Sequence, residues 1–258
     1  MVFPIGDDNR DRKTFPIVNY LLIALNVFVF IYWQRWGHNS EVTLGYSTVP
    51  AEILTGRDIV TQSLMEKDPI TGNVTEYPGL GPTNIPVFLT LFTSMFMHGG
   101  IAHLAGNMLY LWIFGDNVED AMGHIKYFFF YLLCGALASL CHVFSTLIFG
   151  PSLLIPSLGA SGAISGVLGA YLRLFPGKRV HLLTFFIIIS VPAFIAVGVW
   201  FAFQVVNGLG ALGGDDAGGV AYAAHIGGFI VGLLLVGWFG KDYISRKRVA
   251  KASRGRFI

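Results

Sequence analysis

The chain has 258 residues, 54% of them hydrophobic and 12% charged, with a formal net charge of +2 and a mean hydropathy of +0.63. Soluble domains carry about 25% charged residues, so the composition excludes an ordinary water-soluble enzyme and points to an integral membrane protein. The 32 glycines lie mostly inside apolar runs, where small residues let helices approach closely in lipid, rather than in linkers.

Residues 1–15 mix Asp7, Asp8 and Asp11 with Arg10, Arg12 and Lys13 ahead of the first apolar run. That order does not match a cleavable signal peptide and reads as a cytoplasmic N-terminal tail. Apolar stretches of roughly seventeen to twenty-six residues then recur, enough to cross a hydrocarbon core of about 30 Å. The first runs from Pro16 to Trp33, and a polar loop over residues 35–86 follows. The second lies within Phe88 to Gly115, the third spans Ile125 to Leu147, and a short fourth spans Ser161 to Phe175. The fifth is expected from Val180 to Val206 and the sixth from Val220 to Gly240. Residues 241–258 form a basic tail that includes Lys241, Arg246, Lys247, Arg248, Lys251, Arg254 and Arg256. Such a tail suits an anionic lipid surface better than a nucleic acid. Cys134 and Cys141 are seven residues apart on one helix, about 10 Å along it, too far for a disulfide.

Orientation follows from the short loops, because Lys and Arg stay on the cytoplasmic side. Arg173, Lys178 and Arg179 separate spans four and five on the side of the basic tail, whereas Asp215 and Asp216 separate spans five and six. Six spans therefore place both termini in the cytoplasm, and a bacterial cytoplasmic membrane is the expected location.

Polar side chains within membrane spans are costly unless partnered or used. His103, Asn107, Ser161 and His225 stand out. Ser161 lies in Gly159-Ala160-Ser161-Gly162, where the glycines permit a tight turn around an accessible hydroxyl, although a serine of this kind also serves as helix packing. Ser161 is twelve residues before Arg173, His103 thirteen before Asp116 and His225 sixteen before Lys241. At about 1.5 Å per residue their heights above the cytoplasmic boundary are roughly 18, 20 and 24 Å. The three share one layer, which water can reach through a cavity open to the outer side.

Small residues flank both reactive candidates, as Gly162-x-x-x-Gly166 beside Ser161 and Ala224-x-x-x-Gly228-x-x-x-Gly232 beside His225. Such stripes bring helices into backbone contact. His103 and Asn107 are one turn apart, so both face one side of span two, either as donors to an oxyanion or as an interhelical hydrogen-bonding pair. Ser165, a turn beyond Ser161, can satisfy its hydroxyl on the preceding turn.

With these motifs in this order, the sequence resembles the rhomboid intramembrane serine proteases. His103-Leu104-Ala105-Gly106-Asn107 is similar to the family's H-x-x-x-N, Gly159-Ala160-Ser161-Gly162 to its G-x-S-G, and Ala224-His225-Ile226-Gly227-Gly228 to its A-H-x-x-G. The resemblance covers Pro16 to Gly240. It implies an all-α polytopic membrane protein, a six-transmembrane-helix rhomboid-like bundle over residues 16–240. It also implies a serine endopeptidase with Ser161 as nucleophile and His225 as general base. His103, Asn107 and the backbone amide of Ser161 would form the oxyanion hole. The expected partners are transmembrane protein substrates and the lipid bilayer, with no nucleic acid, no cofactor and no metal. The alternative is a catalytically inactive rhomboid-like scaffold that binds membrane proteins. Two positions depart from the family pattern. The long loop lacks a Trp-Arg pair, with Arg35-Trp36 in reversed order, and Ser165 stands where some members place an aromatic against the catalytic histidine.

Overall fold

The structure is a computed structural model that describes residues 2–67, 72, 74–149, 153–212 and 221–254. In chain order it contains β1 (Val2–Asp7), α1 (Ile17–Trp33, closing in a π turn), α2 (Ser40–Gly45), α3 (Pro50–Thr55), β2 (Leu64–Lys67), β3 (Val74–Tyr77) and α4 (Val87–Phe96). These are followed by α5 (Ile101–Met122), α6 (His124–Phe149), α7 (Ser161–Leu174), β4 (Arg179–Thr184), β5 (Ile187–Pro192), α8 (Ala193–Leu212), α9 (Tyr222–Phe239) and α10 (Lys241–Arg254). Among the described residues three helices, His124–Phe149, Ala193–Gly210 and Tyr222–Phe239, are long and apolar enough to cross a membrane. The bent pair α4–α5 adds a fourth. Large apolar side chains such as Leu21, Leu25, Phe144, Ile148, Val199, Phe203 and Leu234 point outward, as a lipid-facing surface requires.

The architecture centres on α7. Every residue from Gly162 to Tyr171 is buried, enclosed by α5, α6 and α9. The expected glycine stripes meet there. A Cβ added to Gly228 would lie 2.2 Å from the Gly162 carbonyl oxygen, and one on Gly232 would lie 2.0 Å from that of Gly166. Backbone therefore touches backbone, and no larger residue fits. The third face of the contact belongs to α6, where Cys134 abuts Gly166, Ala138 abuts Gly162 and Cys141 abuts Gly227. Both cysteines are free and serve here as small packing residues.

Three expectations are corrected. Span two is not one helix over Phe88 to Gly115: the chain bends by 81° between α4 and α5, and α5 continues to Met122. Gly99 and Gly100 sit in the bend, and the buried carboxylates near the end of α5 are partnered rather than free to reach water. Span five does not begin at Val180. Residues 179–192 form the hairpin β4–β5, and the helix starts at Ala193. Hydropathy alone cannot separate an apolar strand from an apolar helix. The β-branched run at Ile187–Ile189 favours a strand, and Pro192 disfavours helix in the residue before it. The fold is also not purely helical, because β1 pairs with β4 in an antiparallel sheet of order β1-β4-β5. The N-terminal segment is thus fastened to the chain between α7 and α8. Lys241–Arg254 of the basic segment is helical, and Lys126 Nζ lies 2.7 Å from Asp242 Oδ2.

At the Leu174 end of α7 a buried polar cluster ties these parts together. Tyr171 donates to Asp7 Oδ2 at 2.5 Å and Asn117 donates to the same oxygen at 2.9 Å. Arg12 pairs with Asp116, and Lys178 donates to Asn117. Glu119 accepts the backbone amides of Val18 and Asn19 at 3.0 and 2.7 Å, holding the start of α1.

Candidate active site

At the other end of α7, Ser161 occupies the first helical position, where the leading amides lack partners within the helix. Gly159, two residues earlier, has φ of +117°, a conformation that L side chains rarely adopt. A Cβ there would also lie 2.8 Å from His103 Nε2 and 3.7 Å from Asn107 Nδ2. Only glycine can both make this turn and leave His103 and Asn107 of α5 against the backbone leading into Ser161.

The segment before Ser161 is held from outside the helical bundle. Thr48 and Ser157 exchange backbone hydrogen bonds at 2.9 and 2.8 Å, and Gly159 donates to the Ser94 carbonyl at 2.8 Å. The Thr48 hydroxyl, in turn, bonds the Thr90 carbonyl and Ser94 Oγ, both at 2.9 Å. The long loop, lacking the Trp-Arg pair, is therefore anchored through Thr48. Gln34 secures the bend before α5 by bonding both backbone groups of His98, at 2.8 and 3.0 Å.

His225 lies in the first turn of α9 and meets Ser161 across the glycine contact. Its Nε2 is 2.7 Å from Ser161 Oγ. Its other ring nitrogen, Nδ1, is 2.8 Å from Gln204 Oε1 on α8. Trp200, one turn before Gln204, has its ring centroid 6.3 Å from the imidazole at 34°, and Tyr222 lies edge-on at 6.4 Å. These groups surround the histidine where Ser165 does not. Ser165 is 1% exposed, and its hydroxyl is bound to the Ser161 carbonyl at 2.6 Å.

In the bend before α5 the Gly99 amide donates to His103 Nδ1 at 3.4 Å. In the neutral ring the proton then sits on Nε2, the nitrogen facing Gly159. Asn107 Nδ2 is buried and has no partner among the described residues. His98 is fully buried with its ring 5.2 Å from that of His103, and it lies behind the site rather than in it. Ser161, His225, His103, Asn107 and Trp200 all line one cavity of about 1590 Å³. Among the described residues no three His, Cys, Asp or Glu side chains gather as a metal-ligand set. Asp215 and Asp216 lie outside the described residues.

The four residues singled out from sequence thus converge on one cavity. Gln204, Trp200, Thr48 and Gln34 were not among them. Gln204 carried a usable signal, since it is a polar residue inside an apolar helix. Thr48 and Gln34 carried none, because the contacts by which they anchor the loop and the bend are to Thr90, Ser94 and His98, distant in sequence.

A polytopic helical membrane protein with a serine and a histidine joined across two glycine-packed helices is the class this fold and site define. The Rhomboid domain family profile matches residues 87–241, and the chain belongs to the rhomboid family. It is 30% identical over 233 residues to Rhomboid protein 1, mitochondrial, of Saccharomyces cerevisiae, covering 89% of this chain and 55% of that protein. It is 37% identical over 156 residues to Rhomboid protease GluP of Bacillus subtilis, covering 60% of this chain and 28% of the relative. A third relative, Presenilin-associated rhomboid-like protein A, mitochondrial, of Danio rerio, is 30% identical over 168 residues, which are 62% of this chain and 39% of that protein. The chain spans about half or less of the length of these relatives. Two of the three are named mitochondrial, so the expectation of a bacterial cytoplasmic membrane finds no support in them.

Proposed function

We propose that this rhomboid-family chain is an intramembrane serine endopeptidase that cleaves transmembrane proteins, with Ser161 as nucleophile and His225 as general base. The observation that carries this reading is the 2.7 Å contact between Ser161 Oγ and His225 Nε2, within the reach that proton transfer requires. Ser161 Oγ attacks the scissile carbonyl carbon as its proton passes to Nε2. The resulting oxyanion accepts hydrogen bonds from the Ser161 amide, His103 Nε2–H and the unpartnered Asn107 amide. Collapse breaks the carbon–nitrogen bond, and His225 returns the proton to the leaving amine. Water then hydrolyses the acyl ester by the same route in reverse, restoring both side chains. The name of the Bacillus subtilis relative, a rhomboid protease, supports the same assignment.

The membrane domain is six spans over residues 16–240, with α1, α5, α6, α7, α8 and α9 crossing and both termini on the cytoplasmic side with the basic residues. The 14 residues of α7 cover about 21 Å of a core near 30 Å. With Arg173 at the boundary, Ser161 begins below the outer surface. Asp215→Cys should accordingly react with an impermeant thiol reagent from the outer side. Labelling from the cytoplasmic side alone would invert this topology.

The test is cleavage of a single-span membrane protein by purified protein in liposomes. Wild type should cleave, and Ser161→Ala or His225→Ala should lower the rate by several orders of magnitude. Undiminished cleavage in Ser161→Ala overturns the mechanism. A wild type that neither cleaves nor reacts with a fluorophosphonate favours the non-catalytic scaffold.

A further inference from the structure

We infer that Gln204 is a positioning residue for His225, the uncharged third member of a Ser161–His225–Gln204 array. This rests on the protease reading, in which His225 is the base. A neutral imidazole has one donor and one acceptor nitrogen, and the partner of one decides the role of the other. An amide oxygen can only accept. With Gln204 Oε1 2.8 Å from Nδ1, the ring proton is held on Nδ1, which leaves the Nε2 lone pair directed at the Ser161 hydroxyl 2.7 Å away. The opposite tautomer would present Nε2–H to Ser161 and could not take its proton. It would also require the Gln204 amide to turn over and donate its NH2 to Nδ1.

The same hydrogen bond fixes the ring's orientation. Gln204 is 6% exposed, so water does not readily substitute for it. Trp200, one turn earlier on α8, lies beside the ring, its centroid 6.3 Å away and tilted by 34°. As His225 takes up the Ser161 proton, Nδ1–H becomes a cationic donor and its bond to Oε1 strengthens, so part of the stabilisation arises during the reaction. In serine proteases with a triad a buried carboxylate holds the tautomer and steadies the imidazolium. Here a neutral amide does so, with no added charge to desolvate within the membrane. Ser165, by contrast, is turned back onto its own helix and makes no hydrogen bond to the ring.

The experiment compares wild type, Gln204→Met and Gln204→Glu in liposomes. Methionine keeps the length and much of the volume but cannot accept from Nδ1 with comparable strength, whereas glutamate keeps an acceptor oxygen. Gln204→Met should lower kcat on the order of 10²-fold with KM within about twofold, because the lost interaction acts on the proton-transfer step. Gln204→Glu should retain activity within about tenfold of wild type. Nitrogen NMR of 15N-histidine-labelled protein, with the His225 signals identified by their loss in His225→Ala, reads the tautomer without any substrate. Wild type should show Nδ1–H, and Gln204→Met should show a substantial Nε2–H population. An unchanged tautomer, or kcat in Gln204→Met within twofold of wild type, overturns the inference. So does an equal loss in both variants. Should wild type fail to cleave or label, the protease reading falls while the tautomer comparison still decides whether Gln204 sets the state of His225.

Discussion

The two ends of α7 are built on opposite principles. At the Leu174 end, Tyr171 and Asn117 both donate to Asp7 Oδ2, Arg12 pairs with Asp116 and Lys178 donates to Asn117, so charged groups are linked through successive partners with Asp7 Oδ1 left over. At the Ser161 end no ion pair forms among the described residues: Ser161, His225 and Gln204 bond in a row, while Asn107 Nδ2 has no partner and His103 lines the cavity. Closed polar networks stabilise and orient. Open donors in a cavity are available to a reacting molecule. One short helix thus joins an anchoring cluster to the cavity of the proposed site, and the glycine contacts along its length hold the two in register.

The largest effect should come from wedging α9 away from α7. Gly232→Leu places a side chain where the Gly166 backbone already sits, and a cost of about 3 kcal/mol or more is expected, with loss of cleavage. Gly198→Ala on α8 has open space around the new methyl and should be neutral or slightly stabilising. Thermal unfolding of both variants checks the pair. If Gly232→Leu unfolds like wild type, the glycine register is not what joins the two ends.

Next in size is the anchoring cluster. Arg12→Ala leaves the buried Asp116 carboxylate without its cation, for an expected cost of about 2 kcal/mol. The cleavage rate per folded molecule should change little. A large drop in that rate without destabilisation would show that this cluster communicates with the site.

The cluster also predicts a pH dependence. Burial raises Asp7 from 3.8 to about 6, against the Tyr171 hydrogen bond and the Lys178 charge, which lower it. The folded state then holds the proton more tightly than the unfolded state. Stability should therefore fall as pH rises from about 4 to about 6, by roughly 1–3 kcal/mol from this group. Asp7→Asn keeps an acceptor for Tyr171 and does not titrate, so the difference between its pH–stability curve and that of wild type isolates the effect. Identical slopes in both proteins would remove Asp7 as the source.

The smallest effect should be that of Ser165→Ala, which removes one hydrogen bond to the Ser161 carbonyl. A loss of about 1 kcal/mol or less is expected, with cleavage within a few-fold of wild type.

Legibility in the sequence followed the range of the interactions. The glycine stripes of α7 and α9 are periodic within single helices, so their meeting was readable from spacing alone. Ser161, His225, His103 and Asn107 were readable because polar residues are rare in such segments. The hairpin β4–β5 was not, since Val180 to Pro192 is as apolar as the helix that follows it. Nor was the pairing of β1 with β4, or of Asp7 with Tyr171 across 164 residues. Gln204 was visible as a polar residue, yet its partner is fixed only by how α8 docks on α9.

The central claim is tested most directly by locating the covalent adduct of a fluorophosphonate by peptide mass spectrometry in wild type, Ser165→Ala and His225→Ala. The expected result is modification of Ser161 in wild type and in Ser165→Ala, and its near-complete loss in His225→Ala. An adduct on Ser165, or undiminished modification of Ser161 without His225, would contradict the account.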